Sequence, residues 1–302
     1  MQPSFGNEPS SLIYQIQHLT RYRYVQPVQL APHTLRLHPR SGAEQTLQSF
    51  HLNLTPQPDH CSTCLDLDGN VLTQVSFGQP LERLEILAMS QVVTHRSNPF
   101  DFLLHPWAAR LPIDYPIFLW QQLQPYCSSG DPSVTALGQD LLIEAQADTV
   151  SFLALLNQRI YQECRYLTRE VGDPWPAGYT WQQKAGSCRD LALLWMMVCR
   201  SVGLATRFVS GYAVTSTPDP DAIPHLHAWG EVYLPGAGWR GFDPTQGLAV
   251  ADGHIALCAS PYPAYAAPVT GYLRGEGSRH TLEYSLSIQA LPSAQINLAS
   301  TL

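Results

Sequence analysis

Gly186-Ser187-Cys188-Arg189-Asp190 opens the stretch that decides the fold, and Leu191-Ala192-Leu193-Leu194-Trp195-Met196-Met197-Val198-Cys199 continues it. The apolar run from Leu191 to Cys199 is too short to cross a bilayer, which takes about 20 residues. With Gly203 as a C-terminal stop, the pattern predicts a helix over 187–202, apolar nearly all round and so at the centre of a domain. Loop gives way to helix at Cys188. A thiol there meets the helix's unbonded N–H groups and the positive end of its dipole, which favour a negative sulfur and can receive an oxyanion. A cysteine opening a core helix can equally be a small packing residue, so the chemical reading depends on partners.

Those partners lie downstream. Segments 205–214, 227–234 and 239–242 read as strands, separated by the loop 217–224 and by Pro235-Gly236-Ala237-Gly238, so that an antiparallel sheet follows the helix. His227 opens one strand and Asp243 ends the next, which makes them cross-strand neighbours through a short hairpin. A thiol nucleophile needs a base, and a carboxylate fixes the imidazole tautomer and stabilises imidazolium. Cys188, His227 and Asp243 are therefore the candidate catalytic residues. Tyr179 and Trp181 are candidate contacts to an oxyanion or to substrate through O–H and N–H, packing being the alternative role.

Upstream, 133–146 and 151–166 carry helical spacing, the second burying Phe152, Leu155, Leu156 and Ile160. Prolines at 99, 106, 112, 116, 125 and 132 forbid long helices and mark a connector. Before it, Leu12 to Tyr24 alternates with period two, and further strands are expected at 34–37, 50–54, 64–67, 71–77 and 84–93, with Asp68-Gly69-Asn70 as a tight turn. The division predicted is 1–96, an N-terminal β-sandwich; 97–132, a Pro-rich connector; and 133–302, the catalytic domain, including a strand at 281–289. The fold class is α+β.

Length and charge agree. A chain of 302 residues suits two domains, and a net charge of -7 gives no electrostatic reason to expect nucleic acid or anionic lipid as partner. Met1 to Ser11 has neither a basic residue nor an apolar core of a secretory signal, which leads to an expectation of cytoplasmic residence. Seven scattered cysteines suit a reducing compartment. Cys61 and Cys64 form a lone C-x-x-C without a second ligand pair. His225 and His227, joined by His254, could chelate a metal, but no helix-borne His/carboxylate motif supports this, and neither metal nor cofactor is expected.

Gly186-Ser187-Cys188-Arg189-Asp190, Arg207-Phe208-Val209-Ser210-Gly211-Tyr212, His227-Ala228-Trp229 and Gly238-Trp239-Arg240-Gly241-Phe242-Asp243-Pro244-Thr245 together resemble the bacterial transglutaminase-like family. Thr20-Arg21-Tyr22-Arg23-Tyr24 and Asp68-Gly69-Asn70 are similar to the β domain preceding its catalytic core. The resemblance implies a papain-like core of helices packed on an antiparallel sheet, with Cys188, His227 and Asp243 catalytic. The chain departs from many relatives at Arg189, where they carry Gln, and at Ser260-Pro261-Tyr262, where they carry Gly-Arg-Asp. The expected activity is attack of Cys188 on the amide of a peptide or protein substrate, with the thioester released to water. Acyl transfer to an amine, as in a protein-glutamine transglutaminase, and a non-catalytic binding module on the same fold are the alternatives.

Overall fold

The structure, a computed structural model, describes residues 11–128, 131–169, 172–214, 226–274 and 279–291. The alternation at the N-terminus becomes β1 (Leu12–Leu30), with Tyr14, Ile16 and His18 buried and Gln15 and Gln17 exposed. It is followed by β2 (His33–Leu35), β3 (Gln45–Thr55), β4 (His60–Leu65), β5 (Val71–Ser76) and β6 (Leu81–Thr94). β1, β6 and β3 form one antiparallel sheet and β2, β5 and β4 belong to another. Ile16, Leu35, Val75, Leu84, Ile86 and Val92 are buried in one cluster with them, as alternating inward residues of two facing sheets require.

The connector proves to be part of the core. Leu111, Ile113 and Tyr115 are buried in the same cluster as the helix that begins at Cys188. Despite the prolines, α1 (Ile117–Cys127) runs for 11 residues. Pro116 stands at its N-cap, where no helical N–H is lost, whereas Pro125 lies inside the last turn and forfeits the bond its N–H would make to Gln121, a loss that leaves the turns before it unaffected. Next come α2 (Thr135–Glu144) and α3 (Thr149–Glu163). The buried face of α3 is Phe152, Leu153, Leu156, Asn157 and Ile160, whereas Leu155 is only partly buried. Apolar residues on adjoining helix positions let the face turn by one residue from the one expected.

β7 (Arg165–Tyr166), α4 (Ala177–Gln183) and β8 (Ala185–Gly186) lead into α5 (Cys188–Ser201). Gly203, at φ +86°, ends it and donates to Arg200 O. The sheet behind α5 contains β9 (Thr206–Ala213), β10 (Leu226–Leu234), β11 (Gly238–Asp243), β12 (Leu248–Ala249) and β13 (His254–Ser260), in the order β12-β11-β10-β9-β13 and all antiparallel. Trp195 of α5 stacks on Phe242 at 5.4 Å. A Cβ on Gly230 would stand 2.4 Å from the Trp195 ring, so only glycine lets strand and helix approach this closely.

The predicted catalytic domain loses its C-terminal end to the sandwich. β14 (Val269–Thr270) pairs with β2, β15 (Leu273–Arg274) with the far end of β1, and β16 (His280–Leu291) with β1 from Ile13 to Tyr24. β1 has a hydrogen-bonding edge that β6 does not use, and β16 fills it. A second tie comes from the Asp68-Gly69-Asn70 turn. Fully buried Asn70 donates to Ala259 O at 2.8 Å and accepts from Ala259 N at 2.9 Å, which docks the sandwich onto β13.

Candidate active site

β7 and β8 are parallel, with Tyr166 beside Gly186, and Leu167 N donates to Gly186 O at 2.9 Å. This short pairing aims the chain at the start of α5. Asp190, fully buried, then fixes the turn. Its carboxylate accepts from Ser187 N at 2.8 Å, Ser187 Oγ at 2.7 Å, Trp175 N at 2.7 Å and Arg169 Nη1 at 2.6 Å. Burial alone would raise the Asp190 carboxyl, but Arg169 and the other donors hold it below its ordinary value. A Cβ on Gly186 would meet Asp190 Cβ at 2.8 Å, so this glycine is required by close approach. Cys188 is left partly exposed at the first position of the helix.

On the sheet, Gly230 pairs with Phe242, which sets Asp243 level with Trp229 and diagonal to His227 rather than directly opposite it. The side chains still meet, His227 Nε2 donating to Asp243 Oδ2 at 2.7 Å. The other ring nitrogen, Nδ1, remains for the Cys188 thiol, to which His227 is hydrogen-bonded. His227 and Asp243 are buried, with Asp243 wholly so. Burial works against a charged His227, but the Asp243 carboxylate and the Cys188 sulfur outweigh it and raise the imidazole above its ordinary value. Burial likewise opposes ionised Asp243, and His227 and His254 together hold it well below the usual carboxylate range. The three expected residues are thus brought together in the order thiol, imidazole, carboxylate, an arrangement suited to a thiolate–imidazolium pair.

Two residues take places at the site that the sequence reading did not give them. His254 of β13 was weighed as a metal ligand; here its Nε2 donates to Asp243 Oδ2 at 3.1 Å and its ring meets Trp229 edge-on at 5.2 Å. His227, Asp243 and His254 offer ligand atoms within 4.8 Å of one another, so the cluster has the spacing of a three-ligand metal site as well as of a hydrogen-bonded chain. Asp190 is the other. Its only sequence signal was a carboxylate three residues after Ser187, the spacing of a capping box. Tyr179 is exposed and meets Trp175 edge-on at 5.1 Å. Trp181 packs on the core around α5 and carries Lys184 Nζ 2.8 Å above its ring. His225 and the loop 217–224 lie outside the described residues. Cys61 and Cys64 are both exposed on β4.

A buried helix with a cysteine at its N-terminus, set on an antiparallel sheet carrying histidine and aspartate, defines the class of papain-like α+β folds. Residues 14–93 match the bacterial transglutaminase-like N-terminal region and residues 136–244 the transglutaminase-like superfamily core. The chain belongs to the transglutaminase-like superfamily. Protein Rv2569c of Mycobacterium tuberculosis, uncharacterized, is 25% identical over 290 residues, spanning 91% of this chain and 92% of its own. The uncharacterized ML0607 of Mycobacterium leprae is 24% identical over 271 residues, 87% of this chain and 94% of its own. The crystal structure of a "putative cysteine protease" from Cytophaga hutchinsonii has the same fold, with a TM-score of 0.72 at 18% identity over 93% of this chain and 91% of that one.

Proposed function

We propose that the protein is a cysteine-dependent amide-bond hydrolase acting on peptide or protein substrates. The observation that carries this reading is the position of His227 between Cys188 and Asp243, bonded to both. The Cys188 thiolate adds to the amide carbonyl, and the positive N-terminal end of α5, with the Cys188 N–H at its first position, stabilises the developing oxyanion. His227 gives its Nδ1 proton to the leaving amine, leaving a thioester. Water, deprotonated by His227, then releases the acid and regenerates the thiol. Asp243 holds the imidazole and stabilises its charged form. Partial exposure of Cys188 supports hydrolysis, since water can approach the acyl carbon of a thioester formed there.

One observation favours the second reading, acyl transfer to an amine. Of the 17 cationic side chains only Lys184 is a lysine, against 23 glutamines. Its Nζ is engaged with Glu163 at 2.8 Å and with the Trp181 ring. An enzyme that passes glutamyl groups to lysines would thereby be spared from cross-linking itself. Mass spectrometry of products from a glutamine-containing peptide, with and without a primary amine in millimolar excess, decides between them. Free acid in both supports the hydrolase; a predominant amine adduct establishes the transferase. Absence of turnover identical in wild type and Cys188→Ala, with any peptide tried, would speak for the non-catalytic module.

A further inference from the structure

The hydrogen bonds among Cys188, His227 and Asp243 make no use of the N-terminal sheets, yet these sheets adjoin the site. In the pairing of β1 with β16, Ile16, His18 and Thr20 stand opposite Ile288, Leu286 and Tyr284. Cross-strand partners share a face, so Leu282, Tyr284, Leu286 and Ile288 all look the same way as His18. That face meets the catalytic sheet. The His18 ring nitrogen Nδ1 lies 3.1 Å from the Tyr212 hydroxyl, and Leu286 is buried in one cluster with Tyr212, Ile255 and Leu257. Tyr212 in β9 is the cross-strand partner of Leu226, the residue before His227. One inward position further along β16, Tyr284 leaves the packed cluster and is 45% exposed.

On the core side, Tyr166 of β7 is held beside Gly186, two residues before Cys188, and is 41% exposed. Burial of one side of its phenol, and then the negative charges available to Cys188, Tyr284 and Asp243, push it up to about 12. Thiol, both phenols and the carboxylate therefore share one neighbourhood. Neither phenol is among the groups needed for attack, and both leave ring surface open to solvent. Half-exposed rings from two different sheets, beside one nucleophile, have the character of cleft walls: apolar faces with a polar tip.

We propose that Tyr166 and Tyr284 form two walls of the acyl-donor cleft at Cys188, one from the catalytic core and one from the strand completing the N-terminal sheet, and that the cleft selects a flat apolar or aromatic group beside the scissile amide. The proposal rests on the reading of Cys188 as nucleophile. It gives the sandwich a part in substrate choice, and it identifies the substrate class as peptides with an aromatic or planar apolar side chain next to the acyl donor.

The test uses two electrophiles that differ by one phenyl ring, iodoacetamide and iodoacetanilide, on the full chain, with alkylation followed at each thiol by peptide mass spectrometry. Dividing the iodoacetanilide rate by the iodoacetamide rate at the same thiol removes differences in intrinsic reactivity, and exposed Cys64 gives the ratio without a cleft, whereas Cys61 lines a pocket beside Phe50 and is left out of the comparison. Cys188 in the wild type is expected to show a ratio about tenfold above that of Cys64, the scale of one or two aromatic contacts. Tyr284→Ala and Tyr284→Leu should each bring the ratio down toward that of Cys64, with Tyr284→Leu retaining an apolar strand residue in case Tyr284→Ala loosens the sheet. Tyr284→Phe should keep it, and Tyr166→Ala should lower it. An equal ratio at Cys188 in the wild type, Tyr284→Ala and Tyr284→Leu overturns the proposal. Should Cys188 react no faster than Cys61 with iodoacetamide itself, the nucleophile reading fails, and the cleft with it.

Discussion

His254 donates from Nε2 to Oδ2 of Asp243 across 3.1 Å. The same oxygen accepts from His227 at 2.7 Å, so one carboxylate oxygen orients two imidazoles. His254 also bears on Trp229, which places it as a brace for Asp243 rather than as a group near the sulfur. Replacing it with alanine should lower kcat about tenfold, or about 1.4 kcal/mol, with KM little changed. His227→Ala should cost several orders of magnitude. Equal losses in the two variants, together with stoichiometric zinc in the purified wild type, would instead establish a metal bound by His227, Asp243 and His254.

Alkylation order separates activation from access. Cys61 and Cys64 are more exposed than Cys188, so accessibility alone would have them react first. Burial pushes the Cys258 thiol up to about 12 and Cys199 well above its ordinary value, which removes both from competition at neutral pH. With the sulfur paired to His227, limited iodoacetamide at pH 7 should label Cys188 before any other thiol. His227→Ala should abolish that priority. Peptide mapping that finds Cys61 or Cys64 labelled first in the wild type would refute an activated thiolate.

The sequence displayed Cys188, His227 and Asp243 as a set because each lies in a short local pattern: glycine and serine before a buried helix, a strand opening, a strand end after a hairpin. Asp190 was less visible, since its role depends on Arg169, which reaches it from the segment before α4. His254 was legible only as a possible metal ligand beside His227. Its contact with Asp243 exists because β13 joins the sheet beside β9, and strand order is a long-range property that no local pattern records. The same reason hid β16, whose alternation announces a strand but not its partner. Pro125 and Leu155 misled in the other direction. A proline two residues from a helix end disrupts only the final turn, and apolar residues on neighbouring faces of a helix leave its orientation to tertiary packing.

Stability should fall with acid in a window set by His18. Its ring is buried, bonded to Tyr212 and Thr20, and desolvation lowers it from 6.5 to about 4. Between these values the unfolded chain takes up a proton that the folded chain refuses, so unfolding is favoured as pH drops from 6.5 toward 4. The loss is about 3 kcal/mol over that window. His18→Leu should flatten this part of the profile, as read by urea denaturation at a series of pH values. An unchanged slope in His18→Leu would assign the acid loss to other groups.

Asn70→Ala should weaken the tie between sandwich and core. It strips both the N–H and the C=O of Ala259 of their partners in a fully buried place. Two unsatisfied backbone groups cost about 2 to 4 kcal/mol together, and calorimetry should show a lower midpoint or the separation of one transition into two. A midpoint within a degree of wild type would mean that water replaces the amide.

β1 lies between β6, made soon after it, and β16, made only after the whole catalytic core. During vectorial synthesis the first strand must therefore wait with one edge unsatisfied while the core emerges and collapses, a high-contact-order closure that is slow and prone to mispairing. With Tyr284 borne on β16, the ribosome delivers Cys188 well before the residue proposed to wall its cleft. Selectivity would then be the last property the nascent chain acquires.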